Sequence, residues 1–346
     1  MKSITDFDVN NKRVLVRCDF NVPVDGHGEI LDDFKIKKTL PTLQYLMKQK
    51  AKIILMSHLG EPNGQVIPTL TLDRVKEKIE QLLGIAIVKS EDCIGERIAK
   101  QSLSLAPGQI LLLENLRFHN EETGNNPEFA KELSKNGDIY INDAFADCHR
   151  DHASIVAITN YLPSGAGLLL QNEIDNLNKI LENPKKPLAA IIGGAKVQTK
   201  YKFIDSICAT ADVVLINGLI KKEIQDTHIT FACPEKIISP VDSEDTFDIG
   251  PETIKIFTEK ILPAKTVVWN GPFGKFENPQ FKKGTLAIAK AIIKSGAFCV
   301  VGGGETIEFL DKEGMIDEFS HVSTGGGAML AYLGGEKLPG LKVLEI

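Results

Sequence analysis

Short apolar, β-branched runs alternate with amphipathic helical spacing from one end of this chain to the other, and that alternation dictates βα units around parallel sheets. How the runs end is equally telling. In the first half, four of them close on anion-seeking or acid/base side chains. VLVRCDFNVP brings Asp19 and Asn21, KIILMSHLG brings His58, QILLLENLRFH brings Arg117, and DIYINDAFADCHRDH brings His149, Arg150 and His152. In the second half, three runs close on glycines. LAAIIGGAKV carries Gly193, Gly194 and Lys196, FCVVGGGET carries Gly302, Gly303 and Gly304, and HVSTGGGAML carries Gly325, Gly326 and Gly327. Open α/β sheets bind ligands beyond the carboxyl ends of their strands. The pattern therefore predicts an α/β protein of two doubly wound, Rossmann-like parallel-sheet domains, joined by a helix, with two phosphate-handling surfaces facing a cleft.

A chain of 346 residues, 43% hydrophobic, is long enough for two such domains. Its net charge of −6 provides no broad basic field, which argues against a general nucleic-acid or membrane-surface binder; any phosphate binding must be local. Six scattered cysteines without a Cys-x-x-Cys pair argue against a zinc site or a disulfide framework and point to a reducing cytoplasm. The polar start MKSITDFDVNNKR and the lack of any long apolar stretch disfavour export and membrane insertion.

The stretch LLLQNEIDNLNKILENPKKPLAAII is the expected boundary. Ile174, Leu177, Ile180 and Leu181 mark a helix that Pro184 and Pro187 end, and it separates a first domain at 1–172 from a second at 173–334. A helix is also predicted in TLTLDRVKEKIEQLLG, with Leu72, Val75, Ile79, Leu82 and Leu83 on one face and a threonine or aspartate to cap it.

Arginine forks suit carboxylate or phosphate, so Arg117 and Arg150 at neighbouring strand ends are the leading anion ligands, with the histidines as further donors and Asp19 and Asn21 for hydroxyls. Taken singly, each has a plain alternative as a turn former or helix cap. In the second half, glycine turns at helix N-termini favour phosphate oxygens, and three of them suggest a nucleotide polyphosphate. Lys196 and Lys200, four apart, share one helix face aimed at that phosphate or are a solvated pair. Glu305 and Thr306 are hard oxygen ligands suited to Mg²⁺, Glu305 otherwise being a simple first-turn acid. VVWNGPFGKFEN adds Asn270 and Glu277 on a rigid turn. Neither a Walker A motif nor a G-x-G-x-x-G fingerprint is present.

With these segments in order, the sequence resembles the phosphoglycerate kinase family over essentially its whole length, through RCDFNVP, MSHLG, ENLRFH, NDAF with HRDHAS, GGAKV, WNGP with FGKFE, GGGET and SHVSTGGGA. The resemblance implies reversible phosphoryl transfer between 1,3-bisphosphoglycerate and ADP, giving 3-phosphoglycerate and ATP, with Mg²⁺ carried by the nucleotide, in a monomer. It places the triose on the first domain, onto which a tail of about 335–346 packs back, and the nucleotide on the second. Asp19, Asn21, Lys35, His58, Arg117 and Arg150 match triose-binding positions. Gly193, Lys196, Lys200, Asn270, Glu277 and Gly302 to Thr306 match nucleotide positions, with Glu305 toward the metal. Lys35, Lys200 and the N–H groups around Gly303 and Gly326 are expected to spread charge during direct in-line transfer, with domain closure excluding water.

Four departures stand out. Lys35 and Glu61 occupy places where the family usually has arginines at the triose, and Glu305 stands where aspartate is usual. Glu61 is expected to face solvent or to pair with Lys35, Lys37 or Lys38. The second domain is short by tens of residues, and Phe247 and Ile249 are the expected replacement surface for the base. A non-catalytic, nucleotide-binding relative is the alternative that these departures raise.

Overall fold

The computed structural model describes residues 1–195, 200–245 and 247–345. Two compact units emerge, one of Met1–Glu173 with the chain from Lys337 onward, the other of Ile174–Glu336. The division falls inside a single helix, Leu168–Leu181, which begins six residues earlier than the apolar spacing from Ile174 indicates. Its start is fixed by Asp143, whose carboxylate accepts from the backbone N–H of Leu169 at 2.9 Å and of Leu170 at 3.3 Å. In the first unit, Gly340 of the terminal tail donates to the Cys148 carbonyl at 2.9 Å, and a side chain there would strike Ile155.

The first unit holds six strands: β1 (Arg13–Arg17), β2 (Lys52–Met56), β3 (Val88–Lys89), β4 (Ile110–Leu112), β5 (Ile139–Asn142) and β6 (Ser164–Ala166). They pair in parallel in the order β3-β4-β2-β1-β5-β6. Alternation along the strands sends side chains to opposite faces. Val14, Val16, Ile53, Leu55, Ile110, Leu112, Ile139 and Ile141 pack on one face against Ile36 and Leu43 of the helix Phe34–Lys48 and Val75 and Ile79 of the helix Asp73–Leu83. Leu15, Ile54, Met56, Leu111 and Tyr140 pack on the other, against Ile98 and against Phe129 and Leu133 of the helix Pro127–Ser134. Helices on both faces make the sheet doubly wound, and because both faces are buried the strands read as continuous apolar runs. The Asp73–Leu83 helix lacks the expected side-chain cap: Leu72 occupies the cap position, and its N–H donates instead to Glu114, 2.9 Å away.

The second unit repeats the plan with β7 (Leu188–Ile192), β8 (Val213–Ile216), β9 (Ile237–Ile238), a small antiparallel pair β10 (Ser243–Glu244) and β11 (Asp248–Ile249), then β12 (Thr266–Asn270), β13 (Phe298–Gly302) and β14 (His321–Val322). Its six-stranded parallel sheet runs β14-β13-β12-β7-β8-β9. In each sheet the strand order reverses beside the unit's first strand, between β1 and β5 and between β7 and β12. Ligands of doubly wound folds bind at such switch points, beyond the carboxyl ends of the strands. Among the described residues no helix is long and apolar enough to cross a membrane.

Candidate functional site

At the switch point of the first unit, β1 ends on Arg17, a fully buried arginine inside an otherwise apolar strand. Its Nε donates to Ser154 Oγ at 2.8 Å, and its Nη2 lies 3.2 Å from Asp147 Oδ2 and 3.1 Å from His58 Nδ1. Ser154 passes the contact on: its Oγ donates to Glu122 Oε1 at 2.6 Å and its N–H to Glu122 Oε2 at 3.0 Å. Burial pushes the Glu122 carboxyl up, and the Arg17 charge opposes that. This connected layer of buried charge lies directly beneath the strand ends.

The layer sets the state of His58. Burial, then the Arg17 charge, holds its pKa well below the ordinary 6.5, so the ring is neutral at physiological pH. A guanidinium can only donate. Arg17 therefore makes Nδ1 the acceptor and puts the ring proton on Nε2, which is buried with no hydrogen-bond partner. The result is a fixed, unspent N–H donor.

Arg117 is the second such group. Its side chain is 2% exposed, and its Nη1 donates to the Gly60 carbonyl at 2.8 Å. Nε and Nη2, the edge that grips a carboxylate or phosphate through two parallel bonds, are buried and unpartnered. Burial lowers the Arg117 pKa, Glu61 opposes this, and Arg150 adds repulsion. Buried unsatisfied donors are costly, and an unpaired guanidinium edge with an imidazole N–H in the same unit is chemistry that suits an anion.

Asn115, unremarked in the sequence, positions both groups. Its amide donates to the Leu59 and Leu70 carbonyls at 2.8 and 2.9 Å, and its oxygen accepts from the N–H of Leu59 and of Arg117 at 3.2 and 3.1 Å. Asn21 adds a second tie, its Oδ1 accepting from Gly60 N at 2.9 Å. Asp19 behaves as the turn former that its position also allowed, accepting from Asn21 N at 3.0 Å, while its other oxygen sits 2.6 Å from Lys35 Nζ. Burial opposes the Lys35 charge, but Asp19 outweighs it and holds the ammonium above its ordinary value. Arg150 is half-buried, its Nε 3.5 Å from Asp147 Oδ1. His152 is buried, its pKa pushed down to about 4 by burial and by Arg117, whereas His149 is exposed. Glu61 faces none of the lysines expected for it: its Oε1 lies 2.6 Å from Arg117 Nη1.

In the second unit the glycines chiefly let strand-end loops touch. A Cβ on Gly193 would come within 2.2 Å of the Pro272 carbonyl oxygen, and one on Gly271 (φ 94°) within 2.1 Å of the Gly193 oxygen. One on Gly326 would stand 2.8 Å from Gly303 Cα. That last approach joins the starts of two helices, Gly304–Lys312 and Gly326–Leu333. Their N-terminal partial charges thus reinforce each other at one point. The Asn270 amide lies there too: its Nδ2 is buried, has no hydrogen-bond partner, and is 3.2 Å from where a Gly303 side chain would begin. This is the second place prepared for an anion.

Lys200 is buried at the head of the helix Tyr201–Thr210, its ammonium donating to the Gly193 carbonyl and lying 2.8 Å from where a Gly194 Cβ would stand. Glu305 Oε2 is 3.5 Å from the same point, on an exposed side chain in the first turn of its helix. Thr306 is turned inward and accepts from Gly271 N at 2.9 Å. Glu277 is exposed near Lys312. Gly302 is buried under Met329, whereas Gly304 is exposed. Lys196 lies outside the described residues. Of the two residues expected to wall a base, Ile249 is only 2% exposed, fixed in β11, and cannot serve. Phe247 remains half open, its ring 5.2 Å from that of Phe281.

Each unit of this α/β fold presents unpartnered donors beyond the carboxyl ends of its strands, chemistry that fits the class of enzymes acting on phosphorylated ligands. The family model described as phosphoglycerate kinase matches residues 4–228 and 224–336. A phosphoglycerate kinase of Koribacter versatilis is 42% identical, over 99% of this chain and 98% of its own, and one of Chlorobium phaeobacteroides is 40% identical, over 99% of each. The structure of phosphoglycerate kinase from Pyrococcus horikoshii superposes with a TM-score of 0.90 at 32% identity, over 100% of this chain and 98% of the other. That from Coxiella burnetii gives 0.84 at 33%, over 99% and 98%. The chain belongs to the phosphoglycerate kinase family. The alignment with the Koribacter protein spans 399 positions against a chain of 346, so that relative carries residues this one lacks.

Proposed function

We propose that this chain catalyses reversible phosphoryl transfer between 1,3-bisphosphoglycerate and ADP, giving 3-phosphoglycerate and ATP. The observation that carries the reading is the pair of unspent donor sets, Arg117 Nε and Nη2 with His58 Nε2 in the first unit and Asn270 Nδ2 beside two converging helix starts in the second. The first set suits the small, doubly anionic triose, with Arg150 and Lys35 adding charge and Asp19 and Asn21 facing its hydroxyl. The second suits a nucleotide polyphosphate.

An acyl phosphate is already activated, so transfer needs positioning and charge neutralisation rather than a covalent enzyme intermediate. In the first unit Lys35 adds positive charge for the triose, and in the second Lys200 with the N–H groups at Gly303 and Gly326 takes up phosphate charge without reorganisation. His58 stays neutral and donates from Nε2 throughout; it is not the proton acceptor. Glu305, an exposed carboxylate beside Lys200, fits a Mg²⁺ ion that keeps most of its ligands as water and nucleotide phosphate. When bound, that ion neutralises phosphate charge. The enzyme acts as a cytoplasmic monomer, which light scattering of the purified chain tests.

Steady-state assay with MgATP and 3-phosphoglycerate tests the reading. Turnover is expected in the wild type, with a raised KM for 3-phosphoglycerate in Arg150→Ala and a lowered kcat in Lys200→Ala. A folded wild type without turnover would sink it.

A further inference from the structure

The acids that neutralise the first unit's cations are not equivalent. Asp147, which serves Arg17 and Arg150, and Asp19, which serves Lys35, are each 4% exposed and fixed by their surroundings. The carboxylate on Arg117 belongs to Glu61, whose side chain is 67% exposed. Arg117 is thus the arginine with an unspent gripping edge, and its counter-ion is held by a side chain free to swing into solvent.

The backbone around Glu61 is pinned. Gly60 N donates to Asn21 Oδ1 at 2.9 Å, and Gly64 N donates to the Arg117 carbonyl at 3.1 Å. Arg117 Nη1 also donates to the Gly60 carbonyl, a contact that does not use the Glu61 side chain. Departure of Glu61 therefore costs a side-chain rotation and leaves the guanidinium oriented.

Resting on the phosphoglycerate reading of this site, we propose that Glu61 sets the affinity for substrate by offsetting the charge of Arg117. Its carboxylate lies on Nη1, outside the Nε and Nη2 edge left for the triose anion, so it neutralises part of the guanidinium charge and repels the bound anion, setting the affinity for substrate rather than the rate of transfer. Solvent around the exposed Glu61 side chain screens that repulsion and keeps the effect modest. Glu61 is a specificity-determining residue in this account, and it touches Arg117 rather than the reacting atoms.

The test is Glu61→Gln, which keeps an oxygen for Arg117 but removes the charge, with Glu61→Arg as a second variant. Each is followed by KM and kcat with MgATP and by direct calorimetric binding of 3-phosphoglycerate without nucleotide. The expected result is a KM and Kd for 3-phosphoglycerate lowered by about three- to tenfold in Glu61→Gln, lowered at least as far in Glu61→Arg, with kcat moving less than KM. A role as a brace for Arg117 predicts the opposite, a KM and Kd unchanged or raised, and that result would overturn the proposal while leaving the kinase reading intact. A folded wild type that neither binds nor turns over 3-phosphoglycerate would overturn both.

Discussion

Asp143 offers a sharp physical test because its protonation is tied to one helix start. The carboxyl is fully buried and accepts from the N–H groups of Leu169 and Leu170 at the head of the Leu168–Leu181 helix. Burial raises its pKa from 3.8 to about 6, against the pull of Thr42 and those two N–H groups. Since one pKa unit corresponds to about 1.4 kcal/mol, the difference from the unfolded chain amounts to about 3 kcal/mol. The sign follows from which state holds the proton. Between pH 3.8 and about 6 the folded protein keeps the proton that the unfolded chain has lost. The stabilisation is thus complete below pH 3.8 and is lost as pH rises to about 6. Asp143→Asn cannot titrate but keeps an oxygen for both N–H groups. Urea unfolding of wild type and variant at pH 4, 5, 6 and 7 should show the variant gaining on the wild type by about 2 kcal/mol from the lowest to the highest pH, the rest of the difference lying below pH 4. Parallel stability curves would refute the assignment.

Other outcomes follow from the same geometry. Arg17→Met leaves Asp147 and Glu122 as buried acids without their cation and should cost about 3–5 kcal/mol in denaturant unfolding. Gly326→Ala drives a methyl group into Gly303 and should lower stability by about 1–3 kcal/mol, while weakening nucleotide binding measured by calorimetry; unaltered nucleotide affinity would separate those helix starts from the phosphate site. His58, held neutral by burial and by Arg17, should show no ring titration by NMR between pH 6 and 8.

The strands were legible because both faces of each sheet are buried, which leaves long apolar runs in the sequence. Arg117 and His58 were legible as polar residues just past such runs. Arg17 was hidden by the same logic: it lies inside VLVRC and reads as part of the strand, although a charge there was a signal that a buried partner must exist. Those partners, Asp147 and Ser154, lie more than a hundred residues away, and only the fold brings them together. For Glu61 the sequence leaves solvent or a nearby lysine as alternatives; the side chain is largely exposed, and its partner is Arg117, 56 residues on, which local spacing does not reveal. For the glycine loops the sequence allows both a phosphate cradle and close packing, and contacts such as Gly193 with Gly271 show that the packing by itself requires glycine. Ile249 failed as a base wall because a two-residue strand, β11, turns it into the core.

The most direct test of the central claim is chemical trapping of the product. Acyl phosphates react with hydroxylamine to give stable hydroxamates. When the chain is incubated with MgATP, 3-phosphoglycerate and hydroxylamine, the account predicts hydroxamate and ADP in equal amounts. Omission of the protein, MgATP or 3-phosphoglycerate should abolish both, omission of hydroxylamine should abolish hydroxamate and leave only the ADP formed at equilibrium, and Arg117→Ala should reduce both products by the same factor. ADP formed without hydroxamate, or neither product from folded protein that binds both substrates, would contradict it.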